Sequence, residues 1–178
     1  MLAGREARWQ HADAMTRKRR SSEPGHRRKF LVVIDDTPEC ERAVYFASLR
    51  ALHTRGALVM LFVIVPGDFQ HWLGVETIMR AEAQDEARRV VGEFAEKARK
   101  WANIEPQMVI REGTRSEEIL TLIEEDEDIA ILVLAAGTGK EGPGPLVSSF
   151  VGRGSSSFPI PITVIPGSMS DEEIQAVA

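Results

Sequence analysis

Residues 29 to 38 read Lys29-Phe30-Leu31-Val32-Val33-Ile34-Asp35-Asp36-Thr37-Pro38, and this stretch decides the fold. Phe30 to Ile34 is an unbroken apolar run rich in β-branched side chains, the pattern of a strand buried on both faces rather than one with a wet side. Asp35-Asp36-Thr37-Pro38 ends it abruptly. Asp36 or Thr37 suits a helix N-cap and Pro38 the first helical position. Ala43, Val44, Ala47 and Leu52 then fall broadly on one helix face, and the helix is expected to stop near Gly56.

Working outward, the pattern repeats. Ala57 to Val65 is a second apolar run, closed by Pro66-Gly67. Residues 75 to 102 are polar with apolar points at Val90, Val91, Phe94, Ala98 and Trp101, three and four apart, which predicts a long amphipathic helix. Gln107 to Ile110 reads as a third strand, closed by Arg111-Glu112-Gly113. A helix opening at Ser116 follows, running to the acidic cluster Glu124-Glu125-Asp126-Glu127-Asp128. Ile129 to Ala136 and Ile162 to Ile165 complete five strands. Strand and helix alternate, and the strands are uniformly apolar. The fold class is therefore α/β, an open five-stranded, mostly parallel sheet with helices on both faces.

Composition narrows the function classes. The chain has 178 residues and is 43% apolar, enough for one domain with its own core. The single cysteine, Cys40, excludes an internal disulfide and fits either a reducing compartment or indifference to redox state; a cytoplasmic location is expected. None of the four histidines stands at metal-ligand spacing from another. The longest apolar run, the nine residues from Ala57 to Val65, falls short of the roughly 20 a membrane-spanning helix needs, and no signal-peptide pattern opens the chain.

Charge is uneven. Overall it is −5, but residues 1 to 29 hold nine Lys or Arg against three acids, and the remainder holds 13 against 24. Residues 1 to 28 are expected to form a basic, disordered tail, residues 29 to 168 the domain, and residues 169 to 178 a C-terminal tail. Arg17-Lys18-Arg19-Arg20 suits either contact with an anionic surface or plain solvation. Met15 is an alternative start. The acidic domain disfavours specific nucleic-acid binding, so a phosphate ligand would be a small one held locally.

In parallel α/β sheets ligands sit beyond the carboxyl ends of the strands, where strand order reverses. After the fourth strand comes Gly137-Thr138-Gly139-Lys140-Glu141-Gly142-Pro143-Gly144-Pro145-Leu146-Val147-Ser148-Ser149. The G-x-G-x-x-G from Gly137 to Gly142 does not lead straight into a helix and follows the wrong strand for a dinucleotide fingerprint. Nor is Lys140 placed as in a Walker loop. Two readings remain open: an anion nest for mononucleotide phosphates, with Ser148 and Ser149 where a helix would begin, or a surface loop using Gly and Pro for turns. Asp35 suits a ribose, a base or an indirectly held Mg²⁺, or simply a cap. Cys40 is either a thiol activated by the helix N-terminus or a small buried residue. Trp72 and Trp101 read as core or interface anchors. No His lies beside the loop with a Ser or Cys partner, so nucleophilic hydrolysis has no support.

Taken together, these segments resemble the universal stress protein family over about residues 29 to 166. Lys29 to Glu39 with Arg42-Ala43-Val44 is similar to the family's opening strand, Asp turn and first helix; Gly113-Thr114-Arg115-Ser116-Glu117-Glu118-Ile119 to its glycine turn and third helix; Ile131 to Gly137 to its fourth strand. The resemblance implies the adenine nucleotide alpha hydrolase-like fold and a role in stress response. It also implies ATP, with Mg²⁺ as its companion, held at Asp35, Asp36, Thr37, Val63, Gly137, Gly139, Gly142, Ser148 and Ser149. Gly139 and Gly142 supply the G-x-x-G of the nucleotide-binding branch; Gly152 lies ten positions on and is followed by Arg153, while counting back from Pro161 puts Ser148-Ser149 at the Gly-Ser place. Pro161-Ile162-Thr163-Val164-Ile165 resembles the closing strand, which implies a homodimer through Ile162, Thr163, Val164 and Ile165. Turnover of ATP is expected to be slow at most, because no general base or arginine finger stands out. The alternative is a member of the same fold that binds no nucleotide and works through protein contacts.

Overall fold

The computed structural model describes residues 18–35, 37–66, 76–140, 142–151 and 158–178. In chain order the elements are β1 (Lys29–Ile34), α1 (Cys40–His53), β2 (Ala57–Ile64), α2 (Glu76–Ala102), β3 (Gln107–Glu112), α3 (Arg115–Glu125), β4 (Ile129–Ala136), α4 (Pro145–Val151), β5 (Ile162–Pro166) and α5 (Asp171–Val177). All five strands are parallel, in the order β3-β2-β1-β4-β5. The expected sheet is present, with no antiparallel member among the described residues.

The double-sided burial of β1 follows from its sequence. Phe30, Val32 and Ile34 enter one core with α1 and α2, while Leu31 and Val33 enter the other with α3 and α4. Alternate residues of a strand point to opposite faces, so a strand in the middle of a two-sided sheet needs apolar residues at every position. In the first core Val91, Ala95 and Ala98 of α2 are buried, and Trp101 packs against Tyr45 in a tilted pair with ring centroids 4.9 Å apart. Trp101 is thus a core anchor. Trp72 and Met15 lie outside the described residues.

Three expectations need correction. First, neither Thr37 nor Pro38 starts α1. The helix begins at Cys40 behind Glu39, and Thr37 instead closes a turn on Asp35, whose Oδ1 accepts from the Thr37 amide at 3.2 Å and hydroxyl at 2.6 Å. A short carboxylate two residues upstream competes well for these donors. Similarly α3 starts at Arg115 behind Thr114, one residue before Ser116.

Second, the described part of the basic segment, residues 18–28, is tied down. The Arg20 amide donates to Glu127 O at 3.0 Å and its guanidinium pairs with the Glu127 carboxylate. His26 meets Asp128 at 2.6 Å, Lys29 meets Asp126 at 2.6 Å, and Arg27 donates to Gly56 O. Arg19 donates to the carbonyls of Ile123 and Asp126 at the end of α3, a favourable place for a cation. The acidic cluster between α3 and β4 draws the basic segment onto it.

Third, residues 169–178, expected as a C-terminal tail, carry a docked helix. α5 opens with a capping box in which Ser170 and Glu173 exchange hydrogen bonds, and it docks on α1. Ile174 is fully buried, Gln175 donates to the Tyr45 hydroxyl at 2.6 Å, and Arg42 pairs with Asp171.

Candidate functional site

Sheet order reverses between β1 and β4: β2 and β3 lie to one side of β1, β5 to the far side of β4. Beyond the carboxyl ends of these two strands opens a cleft of about 650 Å³. Such switch points are where open α/β sheets accept ligands, because the loops leaving adjacent strands diverge to opposite faces.

Asp35 and Thr37 contribute one wall, from the turn after β1. The two hydrogen bonds that Thr37 donates fix the Asp35 carboxylate in this wall. The opposite wall is the turn after β4, with Gly137, Gly139, Gly142 and, from α4, Ser148. Gly142 and Gly144 take φ of +88° and +96°, left-handed backbone that side-chain-bearing residues adopt at a cost, so this loop depends on its glycines. Six of the nine residues expected to hold nucleotide therefore meet in one cleft: Asp35, Thr37, Gly137, Gly139, Gly142 and Ser148.

Val63 and Ser149 do not join them. Val63 is 4% exposed and packs in the α3-side core, outside the cleft lining. Ser149 is exposed and its hydroxyl donates to Leu146 O at 3.1 Å. Neither serine begins a helix, since α4 already starts at Pro145. Asp36 lies outside the described residues. The loop also keeps part of its own donor set: the Gly137 amide reaches Pro143 O at 3.4 Å and the Gly142 amide reaches Gly139 O at 3.2 Å.

Two charged lining residues, Glu39 and Arg115, are given no role in the sequence reading. Glu39 sits just before α1, and its Oε1 lies 3.0 Å from the point where a Cβ on Gly137 would stand. Arg115 opens α3 after the Gly113-Thr114 turn. The signal for it was its place past the carboxyl end of the third strand, where site residues gather.

Cys40 is the inert alternative. It is fully buried, its Sγ lies 3.8 Å from Val33 O, and burial pushes the thiol up to about 12, with the nearby Asp35 and Glu39 carboxylates adding to the rise. At β5, Ile165 is buried in the α1-side core while Ile162, Thr163 and Val164 are half-buried on an edge strand. Among the described residues no helix is long and apolar enough to cross a membrane.

A five-stranded parallel sheet with helices on both faces and a glycine-lined cleft at its switch point defines a class of small open α/β domains. The model of the universal stress protein family matches residues 26–166, and the chain belongs to that family. Among solved structures it is similar to the universal stress protein UspA from Lactobacillus plantarum, with a TM-score of 0.65 and 16% identity over 78% of this chain and 97% of that one. It is also similar to a universal stress protein from Archaeoglobus fulgidus in complex with dAMP, at TM-score 0.55 and 16% identity over 78% and 97% of the two chains. A third structure, a universal stress protein in complex with cAMP, matches at TM-score 0.56 and 14% identity over 80% and 98%. No curated protein matches the sequence.

Proposed function

We propose that this chain is a regulatory module of the stress response that binds an adenine nucleotide between the ends of β1 and β4 and acts as a homodimer. The observation that carries the reading is the convergence of Asp35, Thr37, Gly137, Gly139, Gly142 and Ser148 on one cleft at the switch point. Asp35 offers an acceptor for ribose hydroxyls, and the glycine turn with Ser148 offers donors to phosphate. The dAMP and cAMP complexes of similar structures support an adenine nucleotide as the ligand class. Mg²⁺ would enter on the phosphates, with Asp35 in the cleft to meet it through water. The site residues suit binding and regulation, with hydrolysis slow at most, in a reducing cytoplasm where a single buried thiol carries no risk.

The dimer would form on β5, an edge strand whose backbone is open to pairing with a second copy. Light scattering is then expected to give twice the 19.7 kDa chain mass; a concentration-independent monomer would remove this part of the reading.

For the ligand, thermal unfolding of the full chain is measured with millimolar AMP, ADP and ATP, each with Mg²⁺, against their guanine counterparts. A ligand at 100 times its Kd adds about 2.7 kcal/mol, a rise of roughly 5–10 °C for a domain of this size. A rise with adenine nucleotides alone supports the site. Equal shifts indicate a phosphate site without base selectivity, and absent shifts favour the second reading, an interaction module with an empty cleft. One feature of the loop speaks for that alternative: two of its amides are spent internally, and Pro143 and Pro145 have none to give.

A further inference from the structure

The cleft contains two charged side chains, Glu39 and Arg115, with no ion pair or hydrogen bond to another described residue. They sit on different elements and carry opposite charges. Glu39 lies over Gly137, the first residue of the glycine turn, and the absence of a side chain there is what admits its carboxylate so close. Arg115 is the sole cation among the described lining residues, whereas Asp35 and Glu39 supply two carboxylates.

This charge balance bears on how much phosphate the site accepts. A triphosphate is held by many donors and several positive charges, as phosphate-binding loops and arginine clamps provide. Here the Gly137 and Gly142 amides are engaged by Pro143 O and Gly139 O, and two prolines lack amides. Each added phosphate also brings a further negative charge toward Glu39 at the turn itself, and Arg115 is the one cation that the described lining residues set against it. One phosphate matched to one guanidinium is the arrangement the lining supports.

Resting on the nucleotide reading above, we propose that the cleft is selective for a nucleoside monophosphate over the triphosphate, with Arg115 pairing the single phosphate and Glu39 excluding further ones. Selectivity then arises from one attractive and one repulsive element in the same site.

Isothermal titration of the full chain with adenosine, AMP, ADP and ATP tests this, first in EDTA and then with excess Mg²⁺. In EDTA, AMP is expected to bind at least about tenfold more tightly than ATP, and Mg²⁺ to narrow the gap by neutralising phosphate charge. Glu39→Gln, which keeps the side-chain shape, should raise ATP affinity by about tenfold while leaving AMP within about threefold. Arg115→Gln should reduce AMP affinity to that of adenosine. Neither side chain holds another element in place, and a urea unfolding midpoint for each variant verifies the fold. ATP binding as tightly as AMP in EDTA, or an unchanged AMP-to-ATP ratio in Glu39→Gln, overturns the proposal. AMP and adenosine binding alike to the unaltered chain overturns the role of Arg115 while leaving the nucleotide reading intact. Failure of all four ligands to bind overturns both together.

Discussion

Replacing Ile174 with Ala tests whether the C-terminal helix is part of the core. Ile174 is fully buried beneath α1, so Ile174→Ala removes a packed aliphatic branch and leaves a void. Such truncations cost about 2–5 kcal/mol, depending on how far the surroundings collapse. Here there is a ceiling: α5 has seven residues, and a variant that loses its anchor can let the helix go. The loss therefore cannot exceed the docking free energy of α5, which deletion of residues 170–178 measures directly. The remaining attachments are the Gln175–Tyr45 hydrogen bond, the exposed Arg42–Asp171 pair and the capping box. Together these hold the helix only modestly, because a surface ion pair contributes about 0–1 kcal/mol and a net hydrogen bond about 1 kcal/mol. The expectation is a loss of about 2–3 kcal/mol for Ile174→Ala, the lower part of the range, and at least as much for the deletion. Urea unfolding followed by tryptophan fluorescence reads the change, since Trp101 packs against Tyr45, the residue Gln175 holds. A thermal midpoint should fall by about 4–12 °C. A loss under about 0.5 kcal/mol with two-state unfolding preserved would refute the docking of α5 as a core contribution.

Further outcomes follow from single sites. A Cβ on Gly56 would stand 2.6 Å from the Arg28 backbone carbonyl, so Gly56→Ala should cost about 1–3 kcal/mol, while Gly139→Ala, with nothing within 4 Å, should be neutral to stability; equal urea midpoints for the two would contradict the close approach at Gly56. Cys40, raised to about 12 from 9.0, should make stability fall as pH rises from about 9 towards 12: the unfolded chain gives up its thiol proton first, so it binds fewer protons than the native state across that window. Wild type should lose up to about 1.4 kcal/mol per pH unit more than Cys40→Ala there, and parallel pH profiles would dismiss the buried thiol as the cause. The same burial predicts slow labelling of native Cys40 by a thiol reagent and fast labelling in urea; fast native labelling would show an accessible thiol.

Much of the fold was legible because burial on both faces imposes a composition. Phe30 to Ile34, Ala57 to Ile64 and Ile129 to Ala136 must be apolar throughout to lie between two helical layers, and that requirement is written in consecutive residues. The amphipathic period of α2 was equally local. α5 was missed since Asp171-Glu172-Glu173 reads as solvated chain and its one anchor, Ile174, gives no period in seven residues. The basic segment looked like a free tail, for its partners Asp126, Glu127 and Asp128 lie about a hundred positions away.

The candidate site divides the same way. Asp35 and the glycine turn stood out because a strand end and a Gly-rich loop carry their own local signatures. Val63 was placed by resemblance, and its inward direction was settled by which face of β2 packs on α3. Ser149 was assigned from a helix start that α4 puts four residues earlier, at Pro145. Glu39 and Arg115 belong to a cleft only because β1 and β4 are neighbours and the turns after β1 and β3 converge above them. Sequence by itself determined the parallel α/β class, since burial and periodicity act over a few adjacent residues. The tertiary structure alone decided the charge balance of the cleft, because it depends on residues brought together from strand ends far apart along the chain.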